Sequence, residues 1–285
     1  MSDESWYSER LYDDWRQGFR VTRDIYRVQD GLQDIRVFET PGFGRVLALD
    51  GVIQVTAGDE FVYHEMLAHT PIYAHGGVRS VCVVGGGDGG MVREVLRHAQ
   101  VERVVLVEID ASVIDLCRRY LPMVSDGAFD DPRLEVAIAD GAAFMRDGTE
   151  RFDVIIVDST DPIGPGAVLF SQDFYGDCAR RLTDEGILVN QNGVPFLQGG
   201  EITDTYRRRR VHFADVGFYV AAVPTYVGGV MALGWASPSL RPRAETLETL
   251  RARFAAAPIP TRYYTPDVHK AAFALPRYVE VLVTA

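Results

Sequence analysis

The stretch Val81-Cys82-Val83-Val84-Gly85-Gly86-Gly87-Asp88-Gly89-Gly90 decides the fold. A short apolar strand runs straight into a glycine-rich turn, and Met91 to His98 behind it carries a helical pattern. Glycines at a strand-to-helix turn let the backbone come close to a ligand at the carboxyl ends of the strands. Taken alone, such a loop serves ordinary tight packing equally well. Asp88 inside it narrows the choice. A carboxylate there repels a pyrophosphate that otherwise profits from the helix N-terminus, which disfavours NAD or FAD and favours a cofactor without phosphate.

Outward from this unit, strands and helices alternate. Val101 to Glu108 reads as a strand and Ala111 to Tyr120 as a helix; Leu134 to Ile138, Phe152 to Val157 and Gly186 to Asn190 continue the strand series. Phe218 to Val223 and Val230 to Trp235 look like an antiparallel pair closing the sheet. Alternation of this kind predicts an α/β, Rossmann-like doubly wound sheet with helices on both faces. Before it, Phe61 to His75 fits a helix. The first sixty or so residues instead read as short strands, Val21 to Val28, Ile35 to Thr40, Arg45 to Leu49 and Val52 to Thr56. The punctuation between them is Gln29-Asp30-Gly31, Pro41-Gly42 and Asp50-Gly51. Aspartate-glycine between apolar runs is a hairpin signal, because glycine accepts the positive φ such turns need. We therefore expect a small N-terminal antiparallel β domain over residues 1–62 and a catalytic domain over 63–285.

Composition bounds the function. The chain has 285 residues, 47% hydrophobic, with a formal net charge of −11, and a sequence pI near 5.0. An acidic surface disfavours nucleic acid and anionic membrane and attracts cationic ligands. The run Arg207 to Arg210 reads as a solvated helix face. Cys82, Cys117 and Cys178 lie far apart with no CxxC spacing and read as small buried hydrophobes. The opening residues lack a signal-peptide core, and no apolar run is long enough for a membrane span. A soluble, cytoplasmic protein is expected.

Further acids fall at the strand ends. Glu108 follows the glycines by about twenty residues, where an acid reaches a ribose hydroxyl in dinucleotide folds and suits the ribose diol of an adenosyl sulfonium compound equally well. Asp140, before Gly141, is placed to accept from an adenine amino group. Each acid alone could cap the following helix; three at successive strand ends favour an adenosyl-sulfonium site. The strand Val154 to Val157 ends in Asp158-Ser159-Thr160-Asp161-Pro162. Asp158 and Asp161, beside Asp88, build a negative pocket. Turn capping accounts for either one but poorly for both. Such a pocket suits amine chemistry: an ammonium has a pKa of about 10, only its neutral form attacks, and a carboxylate can take the proton. A sulfonium leaves as a neutral thioether, so alignment and desolvation carry the rate without metal or acid. His64-Glu65-Met66-Leu67-Ala68-His69 has one residue too many for the zinc signature HExxH, and histidines five apart point about 140° away from each other on a helix. Zinc is disfavoured.

These residues resemble the polyamine aminopropyltransferase family, most closely its bacterial spermidine synthases. The resemblance rests on Leu49-Asp50-Gly51-Val52-Ile53-Gln54, Asp59-Glu60-Phe61-Val62-Tyr63-His64-Glu65-Met66, Gly85 to Gly89 and Val107-Glu108-Ile109-Asp110. Asp140-Gly141, Asp158 to Pro162, Asn190-Gln191-Asn192-Gly193, Pro224-Thr225-Tyr226 and the tail around Arg262-Tyr263-Tyr264 and Phe273 extend it over nearly the whole chain. It implies a class I S-adenosylmethionine-dependent methyltransferase-like fold. It also implies transfer of an aminopropyl group from decarboxylated S-adenosylmethionine, as co-substrate and with no metal or permanently bound cofactor, to putrescine. Asp158 would be the proton acceptor and Asp161 would help hold the amine. Asp88, His64, Tyr63 and Tyr226 would line the polyamine channel. Gln33, Glu108, Asp140, Gly141 and Pro165 would bind the nucleoside. A homodimer or homotetramer is implied, with a diamine as partner and neither nucleic acid nor membrane. One departure stands out: Ala167 and Val168 follow Gly166 where a glutamate is common. Alternatives are another amine acceptor (cadaverine or agmatine), a putrescine N-methyltransferase, and a non-catalytic sensor; Asp88 counts against the methyltransferase because it lies where the methionine carboxylate must sit. With Asp158 and Asp161 together at the attacking nitrogen, the distal ammonium is expected near His64 and Tyr63.

Overall fold

The computed structural model describes residues 5–29, 34–162 and 164–284. Its centre is a seven-stranded sheet. In chain order the strands of the molecule are β1 (Ser5–Ser8), β2 (Gly18–Val21), β3 (Arg23–Gln29), β4 (Asp34–Thr40), β5 (Gly44–Leu49) and β6 (Val52–Thr56). They continue with β7 (Ser80–Gly85), β8 (Arg103–Glu108), β9 (Leu134–Ile138), β10 (Phe152–Asp158), β11 (Leu182–Gln191), β12 (Asp215–Ala221) and β13 (Met231–Ser237). The large sheet has the order β12-β13-β11-β10-β7-β8-β9. Strands β9, β8, β7, β10 and β11 are parallel, and β13 and β12 are antiparallel to their neighbours. Valines and isoleucines of β7, β8 and β10 are essentially inaccessible, as expected for parallel strands covered on both faces. The Rossmann-like doubly wound fold and its antiparallel closing pair are therefore as read from the sequence.

Four antiparallel strands in the order β3-β4-β5-β6 form the N-terminal sheet. At the Asp50-Gly51 hairpin both residues have positive φ, 51° and 86°, the conformation that two-residue hairpin turns need. The extra pair β1–β2 went unread. Its strands are four residues each, too short for a period-2 signal, and Tyr7 and Phe19 pack against Phe38 and Val46. The expected single strand from Val21 to Val28 breaks at Thr22, whose N–H donates to the Glu39 carbonyl. The turn at Asp30-Gly31 lies outside the described residues.

Helix α1 (Glu60–His75) enters directly after this sheet and is buried on every side; only Phe61 and His75 escape. Its polar residues are each anchored. Glu65 accepts the backbone N–H groups of Arg262, Tyr263 and Tyr264 at 2.7, 2.8 and 2.7 Å. Asp59, just before the helix, accepts the N–H and hydroxyl of Thr225 at 2.8 Å each and the hydroxyl of Thr56. Helix α2 (Gly90–Leu96) follows the glycine-rich turn, and α3 (Ala111–Tyr120) follows β8. The three cysteines are buried and free. Among the described residues, no helix is long and apolar enough to cross a membrane.

The arginine run is not wholly a solvated face. Arg209 is fully buried, its guanidinium bonded to the Asn190 side chain and 4.5 Å above the Tyr175 ring. Helical periodicity turns this one residue of the four inward, where a cation–π contact offsets its desolvation.

Removing the Glu65 acceptor strands three backbone donors at once. Glu65→Ala is expected to lower unfolding free energy by about 2–4 kcal/mol and to expose the segment after Thr261 to proteolysis. Urea unfolding and limited proteolysis measure both; an unchanged midpoint would mean that Glu65 does not anchor the tail.

Candidate active site

The register of the sheet gathers the site. Gly85 pairs with Asp158, Val84 with Val107, and Glu108 with Ile138, so the acids read from separate strands emerge on one edge. Strand β7 has β8 on one side and β10 on the other, which is where the chain reverses the order of strand addition and where open α/β sheets form a ligand crevice. Gly85 sits at that point with φ of +79°, and a Cβ on it would lie 2.1 Å from the carbonyl oxygen of Asp158. Only glycine allows the two strand ends to close up this far.

Asp158 is held by α1. Its Oδ1 accepts the Tyr63 hydroxyl at 2.7 Å, while Oδ2 is buried and has no hydrogen-bond partner. Burial raises the Asp158 carboxyl, Asp88 raises it further, and His64 and the Tyr63 bond pull it back, leaving it at about 6, with Glu108 a smaller upward influence. Asp88 turns Oδ1 to the N–H of Gly90 at 2.7 Å and sets Oδ2 3.7 Å from His64 Nε2. The N-terminus of α2 is thus already served by a carboxylate of its own loop. His64 donates from Nδ1 to Glu60 Oε2 at 2.6 Å. Burial opposes a charged ring, but Asp88 and Glu60, with help from Asp158, push its pKa up to about 9. Tyr226 stands edge-on to Tyr63, 5.9 Å between ring centres, and donates its hydroxyl to the Gln54 carbonyl at 2.6 Å. The structure therefore brings Tyr63, His64, Asp88, Asp158 and Tyr226 together.

Glu108 is buried and accepts the Asp110 N–H at 3.1 Å; burial raises its carboxyl, and these backbone donors oppose the rise. Asp140 is exposed, and its Oδ1 caps the following helix by accepting the Ala143 N–H at 2.8 Å. Gly141 has a packing reason of its own, since a Cβ there would lie 2.4 Å from the Val84 side chain. Pro165 falls in the 3₁₀ segment Gly164–Phe170. Gln33 lies outside the described residues. Ala167 and Val168 are exposed on that segment.

Asp161 has hydrogen-bond partners different from those of Asp158. Its carboxylate accepts Gln198 Nε2 at 3.1 Å and Gln191 Nε2 at 3.5 Å, and burial raises its pKa. Two carboxylates expected to serve one nitrogen thus face different surroundings, because the loop turns at Pro162 and amide donors from β11 and the helix Pro195–Arg209 capture the second. Around Asp161 lie residues the sequence reading missed. Tyr12 donates to Gln198 at 3.0 Å. Glu9 accepts the Ile53 N–H at 2.9 Å, and burial followed by Asp161 pushes Glu201 up to about 7. Glu9 and Tyr12 stand in a stretch without periodicity. Gln191 lay in a recognised stretch but carried no assigned role. His64 and His69 are engaged separately: His69 Nδ1 lies 3.0 Å from His98 Nε2. Among the described residues, no group of three or more histidine, cysteine or acidic side chains is placed to hold a metal.

Known proteins resemble this chain over nearly its whole length. Residues 60–245 match the spermine/spermidine synthase domain, and residues 5–57 match the spermidine synthase tetramerisation domain. A polyamine aminopropyltransferase of Ruegeria sp. (strain TM1040) is 57% identical over 282 residues, covering 99% of each chain. Polyamine aminopropyltransferase 1 of Pseudomonas aeruginosa is 54% identical over 279 residues, 98% of this chain and 96% of the relative. A spermidine synthase solved in complex with the transition state analogue AdoDATO superposes with a TM-score of 0.93 at 38% identity, over 99% of this chain and 96% of the other. The spermidine synthase of Thermotoga maritima gives 0.90 at 37% identity, over 99% and 95%.

The close approach at the crevice is directly testable. Gly85→Ala combines positive φ with a backbone collision, and is expected to cost about 2–4 kcal/mol and to displace Asp158. Chemical unfolding reads the first effect; a variant with wild-type stability would contradict the close strand-end contact.

Proposed function

We propose a reaction on one premise: the chain belongs to the spermine/spermidine synthase family. It transfers the aminopropyl group of decarboxylated S-adenosylmethionine to putrescine, giving spermidine and 5′-methylthioadenosine. The observation that carries this reading is the buried, unpartnered Oδ2 of Asp158 beside Asp88 at the switch point of the sheet. An acceptor oxygen kept from water and fixed through its twin by Tyr63 suits an amine nitrogen that must lose a proton.

The nitrogen lone pair attacks the carbon next to the sulfonium. The C–N bond forms as the C–S bond breaks, and its electron pair stays on sulfur in the neutral thioether. The proton of the attacking nitrogen passes to Asp158. Free putrescine is almost wholly dicationic at neutral pH, since an ammonium has a pKa of about 10. Asp88 and Asp158 draw the cation in, and proton loss then takes place in a desolvated site. A carboxyl lifted to about 6 is a better base than an ordinary aspartate and is still ionised at pH 7. Glu108 takes the ribose hydroxyls, its orientation set by the Asp110 N–H, and Asp140, Gly141, Gln33 and Pro165 complete the nucleoside site. Asp161 takes the distal ammonium in its own acidic neighbourhood with Glu9, in place of the expected position near His64 and Tyr63. An N-terminal unit of 1–62, a catalytic unit of 63–285, a homodimeric or homotetrameric assembly and a cytoplasmic workplace belong to the same proposal.

Incubating the protein with putrescine and either decarboxylated or intact S-adenosylmethionine, with mass spectrometry of the amine, tests the reaction: a mass gain of one aminopropyl group supports it, and a methylated amine replaces it with the methyltransferase reading. Asp158→Asn is expected to lower kcat by about 10² to 10⁴ with little change in methylthioadenosine affinity. Glu108→Gln should do the reverse, weakening methylthioadenosine by about 1.5–3 kcal/mol in calorimetry. The base acts only when ionised, so kcat/KM, which reports the free enzyme, should fall more steeply as pH drops through about 6; a profile with no break from pH 5 to 7 would remove Asp158 from that role. Butylamine, which has no distal charge, should react far less efficiently than putrescine, and equal kcat/KM would rule out a second ammonium subsite.

A further inference from the structure

Behind the reacting residues runs a buried chain of charges that ends at Asp88. Arg93, on α2, donates from Nη1 to Glu60 Oε1 at 3.1 Å and from Nη2 to Glu60 Oε2 at 2.8 Å. The same guanidinium binds Glu94 through Nε at 2.8 Å and the carbonyl of Val124. Glu60 in turn holds His64 Nδ1 at 2.6 Å. His64 then presents Nε2 to Asp88. All of Glu60, His64, Arg93 and Glu94 are less than a tenth exposed. A buried acid would ordinarily be driven towards its neutral form, but the bonds from His64 and Arg93 overcome burial and hold Glu60 at about 2.

A cationic histidine in a pocket built to attract an ammonium is a puzzle unless it has a task when the pocket is empty. Asp88 sets its charge against Asp158, and with no amine bound that repulsion favours the protonated form of Asp158. We propose that Glu60 and Arg93 are positioning residues that fix His64 as a resident counter-cation, so that Asp158 stays ionised and ready before the amine arrives. This rests on the aminopropyl-transfer reading for its kinetic consequence, though not for the charge state itself. The groups facing Asp158 are Tyr63 and His64 from α1, Asp88 from the β7–α2 turn and Glu108 from β8. Tyr226 approaches from the loop after β12 and senses the Asp158 charge. Those facing His64 are Glu60 on its own helix, Asp88 and Asp158. Of these, His64 is the one cation directly beside the two aspartates, and it acts on Asp158 in the opposite sense to Asp88. Its loss therefore raises the pH at which Asp158 ionises.

The sign can be measured. Glu60→Gln removes the acceptor that keeps His64 charged, and the acid limb of kcat/KM, which reports the free enzyme, should move to higher pH by on the order of one unit. That shift corresponds to a fall of about tenfold in kcat/KM at pH 5.5 relative to kcat/KM at pH 9, compared with the wild type. In a His64→Gln background, where the cation is already absent, adding Glu60→Gln should produce no further shift. An unmoved limb overturns the proposal, as does a shift that persists without His64, because a purely structural role for Glu60 would act independently of the ring. Should Glu60→Gln not fold, NMR titration of isotope-labelled histidines in the wild-type protein decides instead: His64 protonated at pH 7.5 supports the proposal, and a neutral ring overturns it. Absence of aminopropyl transfer by the wild-type chain would sink the reaction while leaving the NMR result to judge the charge relay.

Discussion

The burial of α1 is the constraint on which the rest of the molecule depends. A helix covered on all sides is normally apolar throughout, yet this one carries Glu60, His64, Glu65 and His69 in positions almost without exposure. Left without partners, polar and charged groups there are costly to bury. The fold therefore has to bring a partner to each one, and the partners come from distant parts of the chain. Arg93 arrives from α2, the backbone of Arg262 to Tyr264 from the tail, and His98 from the end of α2. Satisfying those residues fixes how the N-terminal sheet, the central sheet and the C-terminal segment meet.

The same helix delivers chemistry. Tyr63 and His64 are neighbours in sequence, and one grips Asp158 while the other faces Asp88. The site is therefore assembled from two independent supports: the sheet register, which lines up Gly85, Glu108 and Asp158 on one edge, and α1, which sets the orientation of the Asp158 carboxylate. Neither support alone leaves one oxygen tied and the other unpartnered. An anionic pocket of this density favours cationic ligands, and Glu60 holds the His64 ring from behind, opposite Asp88.

A second acidic neighbourhood surrounds Asp161. Asp161, Glu9 and Glu201 are each raised by burial, and Gln191 and Gln198 supply neutral donors that keep the carboxylates apart and oriented. Two acidic foci suit a ligand with two positive ends better than a single focus would. The exposed Ala167 and Val168 lie on the segment that follows Asp161 and Pro162.

Much of this was legible from residues near one another in sequence. Apolar runs ending in Gly85, Glu108 and Asp158 specify parallel strands and their ligand edge, because strand period and turn chemistry are local properties. Asp50-Gly51 likewise specifies its hairpin. Resemblance to a family located Tyr63, His64 and Tyr226, which periodicity alone leaves as ordinary core residues. What the sequence could not supply is any interaction whose partners lie far apart along the chain. That Asp161 has partners different from those of Asp158, that Glu9 and Glu201 stand beside it, that Arg209 turns inward alone among its neighbours, and that Glu60 reaches Arg93 all depend on packing between elements. Local pattern determines which element a residue joins and which face it lies on; the electrostatic identity of a buried residue is decided by what the folded chain sets against it.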